Sequence, residues 1–354
     1  MRNDTDIAIV SWATTPMVRQ TAYGETQLLL HAITDALEPV GLTRADVDFT
    51  CAGSCDYISG ATFSFVGNLD AIGAWPPKRD SHVEMDGAWA LYEAWLRLHH
   101  GDIEIAVVTG SGRSSTADPA LIYPMEMDPY YLAPLGADPV TFAALQARAL
   151  IDAGKITERQ MAEVAARSRR DAKSNPHAQV TGDFDVDELL QAEYVRAPLR
   201  RHDLPPISDG ACAVVLATAR RAEQLRERPA WITGLEHRSE CHNPALRDLT
   251  DSPSTRLAAD AAGIADGPID VAELQAAFTH EELLLREVLG LDGSVAVNPS
   301  GGALAANAIM ATGLVRIAEA ARHIVEGDKQ RTLAHSTSGP CLQWNLVCIL
   351  EGDS

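Results

Sequence analysis

The chain has 354 residues, 46% hydrophobic and 22% charged, an ordinary globular balance with enough length for one large or two medium domains. Its formal net charge of −20 argues against a nucleic-acid binder, because such a protein needs a basic face to neutralise phosphates. No apolar run approaches the roughly 18 residues of a membrane-spanning helix. The N-terminus lacks the long apolar run of a secretion signal, so we expect a cytoplasmic protein without a membrane partner.

Strands and helices alternate in the first third of the chain. The apolar pattern predicts a strand at 7–12, a helix at 25–39 and a second strand at 47–53. A long apolar helix is predicted at 87–99, and a strand at 103–110 follows it directly. This alternation is typical of an α/β fold.

Residues 113–205 interrupt that alternation and hold many of the prolines, tyrosines and methionines. Two helices are predicted inside this segment, at about 140–153 and 157–174. We interpret the segment as a large insertion over the core, and such insertions commonly form a lid or a substrate wall.

The chain also carries an internal repeat. Five residues recur at one offset of 226 positions (313 − 87 = 226): Gly87, Glu93, Ala94, Gly101 and Asp102 return as Gly313, Glu319, Ala320, Gly327 and Asp328. In both places a glycine precedes a long helix and Gly-Asp leads into a strand, which indicates a duplicated α/β unit. We therefore predict an N-terminal half at 1–230, including the insertion, and a C-terminal half at 231–354.

Cysteine and histidine spacing predicts neither a metal site nor a bound cofactor. None of the six cysteines forms a C-x-x-C pair, and several lie inside apolar runs. Small buried thiols in a reducing compartment explain most of them. No Cys/His cluster has the spacing of zinc ligands.

The second half contains a distinctive glycine turn, Val297-Asn298-Pro299-Ser300-Gly301-Gly302, followed by Met310-Ala311-Thr312-Gly313 at the start of a helix. Paired glycines let a backbone approach closely, and a helix N-terminus offers free N–H groups to an anion. Spacing alone leaves two interpretations open, a ligand-binding turn and a plain structural strand–turn–helix.

As a string, this turn together with the doubled α/β unit resembles the thiolase superfamily. The segments Ser81–Ala94 and His335–Gln343 resemble its sterol-carrier-protein-type and actinobacterial lipid-transfer-protein branch, which is associated with steroid side-chain catabolism. The resemblance covers nearly the whole chain. It implies a thiolase fold with five αβαβα layers, a coenzyme A thioester as substrate and at least a dimer.

The departures from that family concern its catalytic residues. Thiolases carry a nucleophilic cysteine where this chain has Glu84, and a Gly-His-Pro string where it has a loop at 303–310 without histidine. The oxyanion-hole motif of the family is replaced here by Gln275-Ala276-Ala277-Phe278. Cys341 lies near the position of the last catalytic cysteine but out of register with it.

Three functions follow from this pattern. The first is a retro-aldolase acting on a β-hydroxyacyl-CoA, which needs a base and hydrogen-bond donors but no nucleophilic cysteine. Its candidate bases are Glu84, Asp86, His280 and His335. Its candidate donors are Asn307, Ser338 and backbone N–H groups near Gly302 and Gly339.

The second function is a non-catalytic subunit that pairs with an active thiolase-like paralogue. In this branch a small partner with a zinc ribbon and an oligonucleotide-binding fold is also implied. Glu84 would then cap its helix, while His280 would belong to an ordinary helix start capped by Thr279.

The third function is a residual thiolase, an acyl-CoA acyltransferase that uses Cys341. Across the three functions the predicted catalytic residues are Glu84, His280, Asn307, His335 and Cys341. Gly301, Gly302 and Gly339 are predicted to contact the coenzyme A thioester. A buried, hydrogen-bonded structural role is the alternative for His335.

Overall fold

The computed structural model of the chain describes residue 3 and residues 5–353. Met1, Arg2 and Asp4, on which the expected absence of a secretion signal partly depends, lie outside the described residues. Within the described residues, no helix is long and apolar enough to cross a lipid bilayer.

The regular elements number twelve strands and twelve helices of α type in the described part of the chain. The strands are β1 (Ile7–Thr14), β2 (Phe49–Gly53), β3 (Arg79–Val83), β4 (Ile105–Arg113), β5 (Tyr194–Arg196), β6 (Leu199–Arg200), β7 (Asp209–Thr218), β8 (Ala230–Ser239), β9 (Val271–Leu274), β10 (Ala296–Val297), β11 (Arg331–Ser338) and β12 (Trp344–Glu351). The helices are α1 (Glu25–Leu37), α2 (Asp56–Ser59), α3 (Val66–Ile72), α4 (Gly87–His99), α5 (Pro119–Glu126), α6 (Pro139–Asp152), α7 (Glu158–Asp171), α8 (Val186–Leu190), α9 (Ala219–Leu225), α10 (Pro253–Ala261), α11 (Thr279–Val288) and α12 (Thr312–Val325).

Strands β5 and β6 pair separately, and the other ten strands form one continuous sheet that consists of two related five-stranded sheets joined edge to edge. Their order is β3-β2-β4-β7-β1 in one five-stranded sheet and β8-β12-β11-β9-β10 in the other, and a short β1–β8 contact of two residue pairs joins them. In each sheet the three outer strands are parallel and the strands nearest the join are antiparallel. The two orders mirror each other, and Ile105 of β4 matches Arg331 of β11 at the offset of the repeat.

Five layers result from the packing of helices on these sheets. Helices α4 and α12 pack against each other, and α12 contacts strands of both sheets, so this pair forms the central layer. Helices α1 and α9 cover the outer face of the first sheet, and α10 covers the outer face of the second. This α/β arrangement confirms the expected thiolase fold, while the division of the chain near residue 230 stays a prediction.

Local sequence signals explain the elements that position the site. Helix α4 begins after Asp86, whose side chain accepts a hydrogen bond from the Ala88 N–H, the usual role of an N-cap aspartate. Strand β3 lacks an apolar signal because it is an edge strand whose side chains are exposed or half-buried, so the pattern of apolar residues did not predict it. The insertion folds mainly as α5 to α8 and packs on α11 through α6 and α7.

Candidate active site

The starts of α4 and α12 meet at the carboxylate of Asp86. This buried side chain accepts hydrogen bonds from the backbone N–H groups of Ala88 (2.9 Å), Gly313 (2.9 Å) and Leu314 (3.0 Å). Burial raises the pKa of Asp86, and the three N–H donors oppose that rise. The anion position between the two helix N-termini is therefore filled by the chain's own carboxylate.

Gly313 is required at this junction because a side chain would not fit. A Cβ there would lie 1.9 Å from Ser336 Oγ, 2.6 Å from Asp86 Oδ1 and 2.8 Å from Gln275 Oε1. The glycine of the repeated motif thus brings the carboxylate, an amide and a hydroxyl close together at the helix start.

A cavity of ≈ 330 Å³ opens beside Asp86, within the range of small-molecule sites. Residues of the insertion line one wall, among them Asp118, Tyr123, Met127, Val140, Ala143 and Leu204. Residues of the second half line the other wall, among them Gln275, Phe278, Glu281, Asn307, Gly339 and Cys341. The insertion therefore supplies a wall of the cavity.

Glu281 is the titratable group of the cavity with the properties of a general base. It lies in the first turn of α11 and is only 6% exposed. One carboxylate oxygen accepts a hydrogen bond from the Phe278 N–H at 3.1 Å. Burial raises the pKa of Glu281 to about 7, so the carboxylate can take up a proton near neutral pH.

Two side-chain amides offer N–H donors to the same cavity. Gln275 Oε1 accepts hydrogen bonds from Ser336 Oγ at 2.7 Å and from the Thr337 N–H at 3.0 Å. Asn307 Oδ1 accepts from Thr312 Oγ1 at 3.0 Å. Because the oxygens are occupied, the NH₂ groups of Gln275 and Asn307 are the ends left to donate to a ligand.

A turn of unusual backbone conformation forms the end of this wall. Gly339 has φ of 75°, and the non-glycine residues Cys341 and Leu342 have φ of 56° and 57°. Arg247 donates to the carbonyls of Pro340 at 2.8 Å and Cys341 at 3.0 Å. This clamp fixes a left-handed conformation that side chains rarely adopt.

Cys341 lies in the cavity wall as a protonated thiol. Burial raises the pKa of Cys341 to about 12, outweighing the opposing charge of Arg247. The thiol contacts the Phe142 carbonyl at a sulfur–oxygen distance of 3.5 Å. A thiolate at this position is scarce at neutral pH, which weighs against the acyltransferase function.

We expect iodoacetamide at pH 7.5 to alkylate Cys241 much faster than Cys341, because Cys241 alone among the described cysteines is exposed. Peptide mass spectrometry after a timed reaction measures both rates. A Cys341 adduct that forms as fast as the Cys241 adduct, with loss of activity, would restore the thiolate interpretation.

Glu84 lies outside the cavity wall. One of its carboxylate oxygens accepts a hydrogen bond from the Asp56 N–H at 2.6 Å, at the start of α2. The pKa of the nearby Glu126 is raised, mainly because that carboxyl is partly buried and further because of the charge of Glu84. The structure therefore places Glu84 outside the cavity with its carboxylate bonded to a neighbouring helix start, which does not support its choice as a base.

The two predicted histidines are buried away from the cavity. Burial lowers the pKa of His280 to about 3 and that of His335 to about 4. His280 Nε2 lies 3.3 Å from Gln146 Oε1, and His335 Nε2 lies 2.9 Å from Asn345 Oδ1. Neither ring lines the cavity, so the structure favours for both the alternative role of a neutral buried imidazole.

Gly301 and Gly302 belong to a buried turn that does not line the cavity. The turn is held from inside, because Ser300 Oγ donates to Glu273 at 2.6 Å and Ser168 Oγ donates to the Gly301 carbonyl at 2.5 Å. The turn therefore has a structural role here. Of the three glycines predicted to contact ligand, Gly339 is the one in the cavity wall.

The cavity thus brings together Asp86, Asn307, Ser338, Gly339 and Cys341 from the predicted candidates, and it adds Glu281 and Gln275. Glu281 was overlooked because an acidic residue in the first turn of a helix normally interacts with the helix dipole in solvent. One sequence feature does indicate its role. Glu281 stands three residues after Phe278 in an apolar segment, the spacing at which a glutamate caps the start of a helix.

No protein-family model matches the chain. Comparison with known proteins finds relatives that include an acetyltransferase and a lyase, both named for coenzyme A thioesters. The acetyl-CoA acetyltransferase of Methanothermobacter thermautotrophicus is 27% identical and matches 89% of this chain and 89% of its own. The 17-hydroxy-3-oxo-4-pregnene-20-carboxyl-CoA lyase of Mycobacterium tuberculosis is 25% identical over 64% of this chain and 61% of its own length.

Two solved structures, an aldolase and a thiolase, have the same fold as this chain. The Ltp2-ChsH2(DUF35) aldolase matches 99% of this chain with a TM-score of 0.83 and 22% identity. Human mitochondrial 3-ketoacyl-CoA thiolase also matches 99%, with a TM-score of 0.79 and 16% identity. The chain therefore has the thiolase fold and is similar in sequence to thiolase-like proteins.

Proposed function

We propose that the chain cleaves a carbon–carbon bond of a β-hydroxyacyl-CoA by a retro-aldol reaction. The observation that carries this proposal is the placement of Glu281, with a pKa of about 7, in one cavity with the free amide NH₂ groups of Gln275 and Asn307. A base and neutral hydrogen-bond donors are the groups that this reaction needs.

In this reaction Glu281 takes the proton of the β-hydroxyl group. The bond between the α- and β-carbons then breaks, and its electron pair passes to the thioester as an enolate while the β-carbon becomes a carbonyl. Gln275 and Asn307 donate hydrogen bonds to the enolate oxygen, where negative charge develops. The proton held by Glu281 returns to the α-carbon and gives the shortened acyl-CoA, so no further reactant is consumed.

Two features support this reaction over acyl transfer. By its sequence resemblance to thiolases, the chain has Glu84 at the position of the nucleophilic cysteine, and burial keeps the Cys341 thiol protonated near neutral pH. Among the relatives, a pregnene-carboxyl-CoA lyase and an aldolase have names that describe carbon–carbon cleavage. We therefore propose a lipid or steroid side-chain thioester as the substrate, with no other cofactor.

We also propose that the chain works in a hetero-oligomer. The similar aldolase structure is named as a complex of a thiolase-like chain with a DUF35 protein. A thiolase-like paralogue or a second copy of this chain is the other partner to consider.

The non-catalytic subunit is the second candidate function. Occupation of the anion position between the helix N-termini by Asp86 favours it, because an oxyanion cannot bind there. It predicts that an active paralogue carries all of the activity.

The test is an assay of the purified chain alone and of the chain copurified with the products of neighbouring genes. Tertiary and secondary β-hydroxyacyl-CoA thioesters, including steroid side-chain thioesters, are supplied, and the acyl-CoA product is measured by liquid chromatography and mass spectrometry. Cleavage that is lost in Glu281→Gln supports the retro-aldolase. Cleavage by the mixture that is unaffected by Glu281→Gln assigns the chain to the non-catalytic role, and acyl transfer without cleavage overturns both.

A further inference from the structure

Helix α5 presents one face to the cavity and the opposite face to solvent. Ala120, Tyr123 and, just after the helix, Met127 line the cavity at helical spacing. Leu121 and Met125 point outward and are 66% and 62% exposed. Tyr123 is therefore the residue of this helix that brings a polar atom to the cavity.

The position of this helix is fixed from two sides. Its first turn is capped by Asp118, whose side chain accepts a hydrogen bond from the Ala120 N–H at 3.0 Å. Ile122, 8% exposed, packs in a small apolar cluster with Cys55 and Ile58. The Tyr123 ring thus projects from an anchored helix turn.

The Tyr123 hydroxyl has no hydrogen-bond partner among the described residues. Its ring is half-buried because one side faces the cavity. Because Tyr123 lines a ligand-sized cavity and its hydroxyl group is not enclosed by protein, the O–H is available to donate a hydrogen bond to a ligand bound there.

The surroundings of Tyr123 keep the phenol protonated. Burial raises the pKa of Tyr123 far above its ordinary value, and the charges of Glu126, Cys55 and Asp86 raise it further. A phenol in this setting acts as a hydrogen-bond donor and does not act as a base. Tyr123, on the insertion wall, is therefore a hydrogen-bond donor, whereas Glu281, on the opposite wall, is a base.

We propose that Tyr123 is a further catalytic residue, whose hydroxyl donates a hydrogen bond to the thioester carbonyl oxygen of the acyl-CoA. The proposal depends on the retro-aldol function proposed above. That oxygen is the substrate atom that gains negative charge when the α–β bond breaks, and a neutral donor stabilises it without transferring a proton. Tyr123 then joins the amides of Gln275 and Asn307, and the insertion contributes directly to the reaction.

Tyr123→Phe tests the assignment, since it removes the hydroxyl and keeps the ring. We expect kcat for β-hydroxyacyl-CoA cleavage to fall by about 100-fold and KM to rise by no more than about fivefold, because the lost donor acts mainly in the transition state. Tyr131→Phe is the matched control, since Tyr131 is 76% exposed and does not line the cavity. An unchanged melting temperature with a kcat within about threefold of the wild type overturns the proposal.

Propionyl-CoA, which has the thioester but no bond to cleave, separates this proposal from the proposed function. We expect isothermal titration to show about fivefold weaker binding to Tyr123→Phe than to the wild type, the usual effect of one neutral hydrogen bond. Wild-type protein that cleaves no substrate, alone or with its partners, refutes the retro-aldol function. Equal affinity of the wild type and Tyr123→Phe for propionyl-CoA overturns the role of Tyr123.

Discussion

Glu281→Gln is expected to reduce kcat for β-hydroxyacyl-CoA cleavage by about 10²–10⁴-fold, the usual contribution of a general base. The amide keeps an oxygen that can accept the hydrogen bond from the Phe278 N–H, so the helix start is preserved. KM should change little, because the lost proton transfer belongs to the transition state. Steady-state kinetics on purified protein measures both constants.

The pH profile gives this prediction a second readout. Because burial raises the pKa of Glu281 to about 7, wild-type activity should rise as the pH increases through 7, when the carboxylate forms. The stability effect has the opposite sign. Stability linked to this group is fully present below its unfolded pKa near 4.5 and is lost as the pH rises through about 7.

Glu287→Gln is the matched control on the same helix. Its side chain is 53% exposed and pairs with Lys155 at the surface, so we expect activity and its pH profile to stay as in the wild type. If the purified chain cleaves the substrate without its partners and Glu281→Gln retains full activity with the same rise near pH 7, another group of this chain is the base.

More of the fold than of the site could be predicted from the sequence, because the fold leaves local sequence signals whereas the site depends on long-range packing. The repeat of Gly87 at Gly313 and the apolar periodicity of their helices are local signals, and they indicated two related helix starts. The role of Glu281 arises from packing of α11 against α6 and α7, which lie more than a hundred residues earlier in the chain. Such burial turns a first-turn glutamate into a group with a pKa near 7, and local spacing does not report it.

The histidines show what residue type alone does not report. Histidine often serves as a base, but His280 and His335 are both buried beside neutral partners in this fold. The glycine turn at Gly301 and Gly302 is similar, because its sequence predicted the thiolase fold correctly while the turn itself does not line the cavity. Residue type indicates what a side chain can do, and only the tertiary structure shows which groups share a cavity.

The internal glycine turn nevertheless predicts a large effect on stability, through the buried pair of Arg316 and Glu273. Arg316 Nη1 lies 2.7 Å from Glu273 Oε2 and 2.6 Å from Ser300 Oγ. Burial alone would raise the pKa of Glu273, but Arg316, His323 and Ser300 together hold it below its ordinary value. The carboxylate therefore stays charged in the interior only because its partner is present.

Arg316→Met is expected to lower the free energy of unfolding by about 3–5 kcal/mol, because it removes the guanidinium that neutralises the buried Glu273 charge and leaves that charge to Ser300 and His323. Urea denaturation at pH 7 followed by circular dichroism measures the loss. Glu273→Gln combined with Arg316→Met should recover much of it, since the pair is then replaced by neutral groups.

Arg322→Met on the same helix is the control: its side chain is 38% exposed and pairs with Glu319, so its cost should be about 0–1 kcal/mol. A loss below about 1 kcal/mol in Arg316→Met would mean that water or a shifted side chain compensates the Glu273 charge. The conformation of the turn would then be stabilised by the backbone from Asn298 to Gly302 and not by this ion pair.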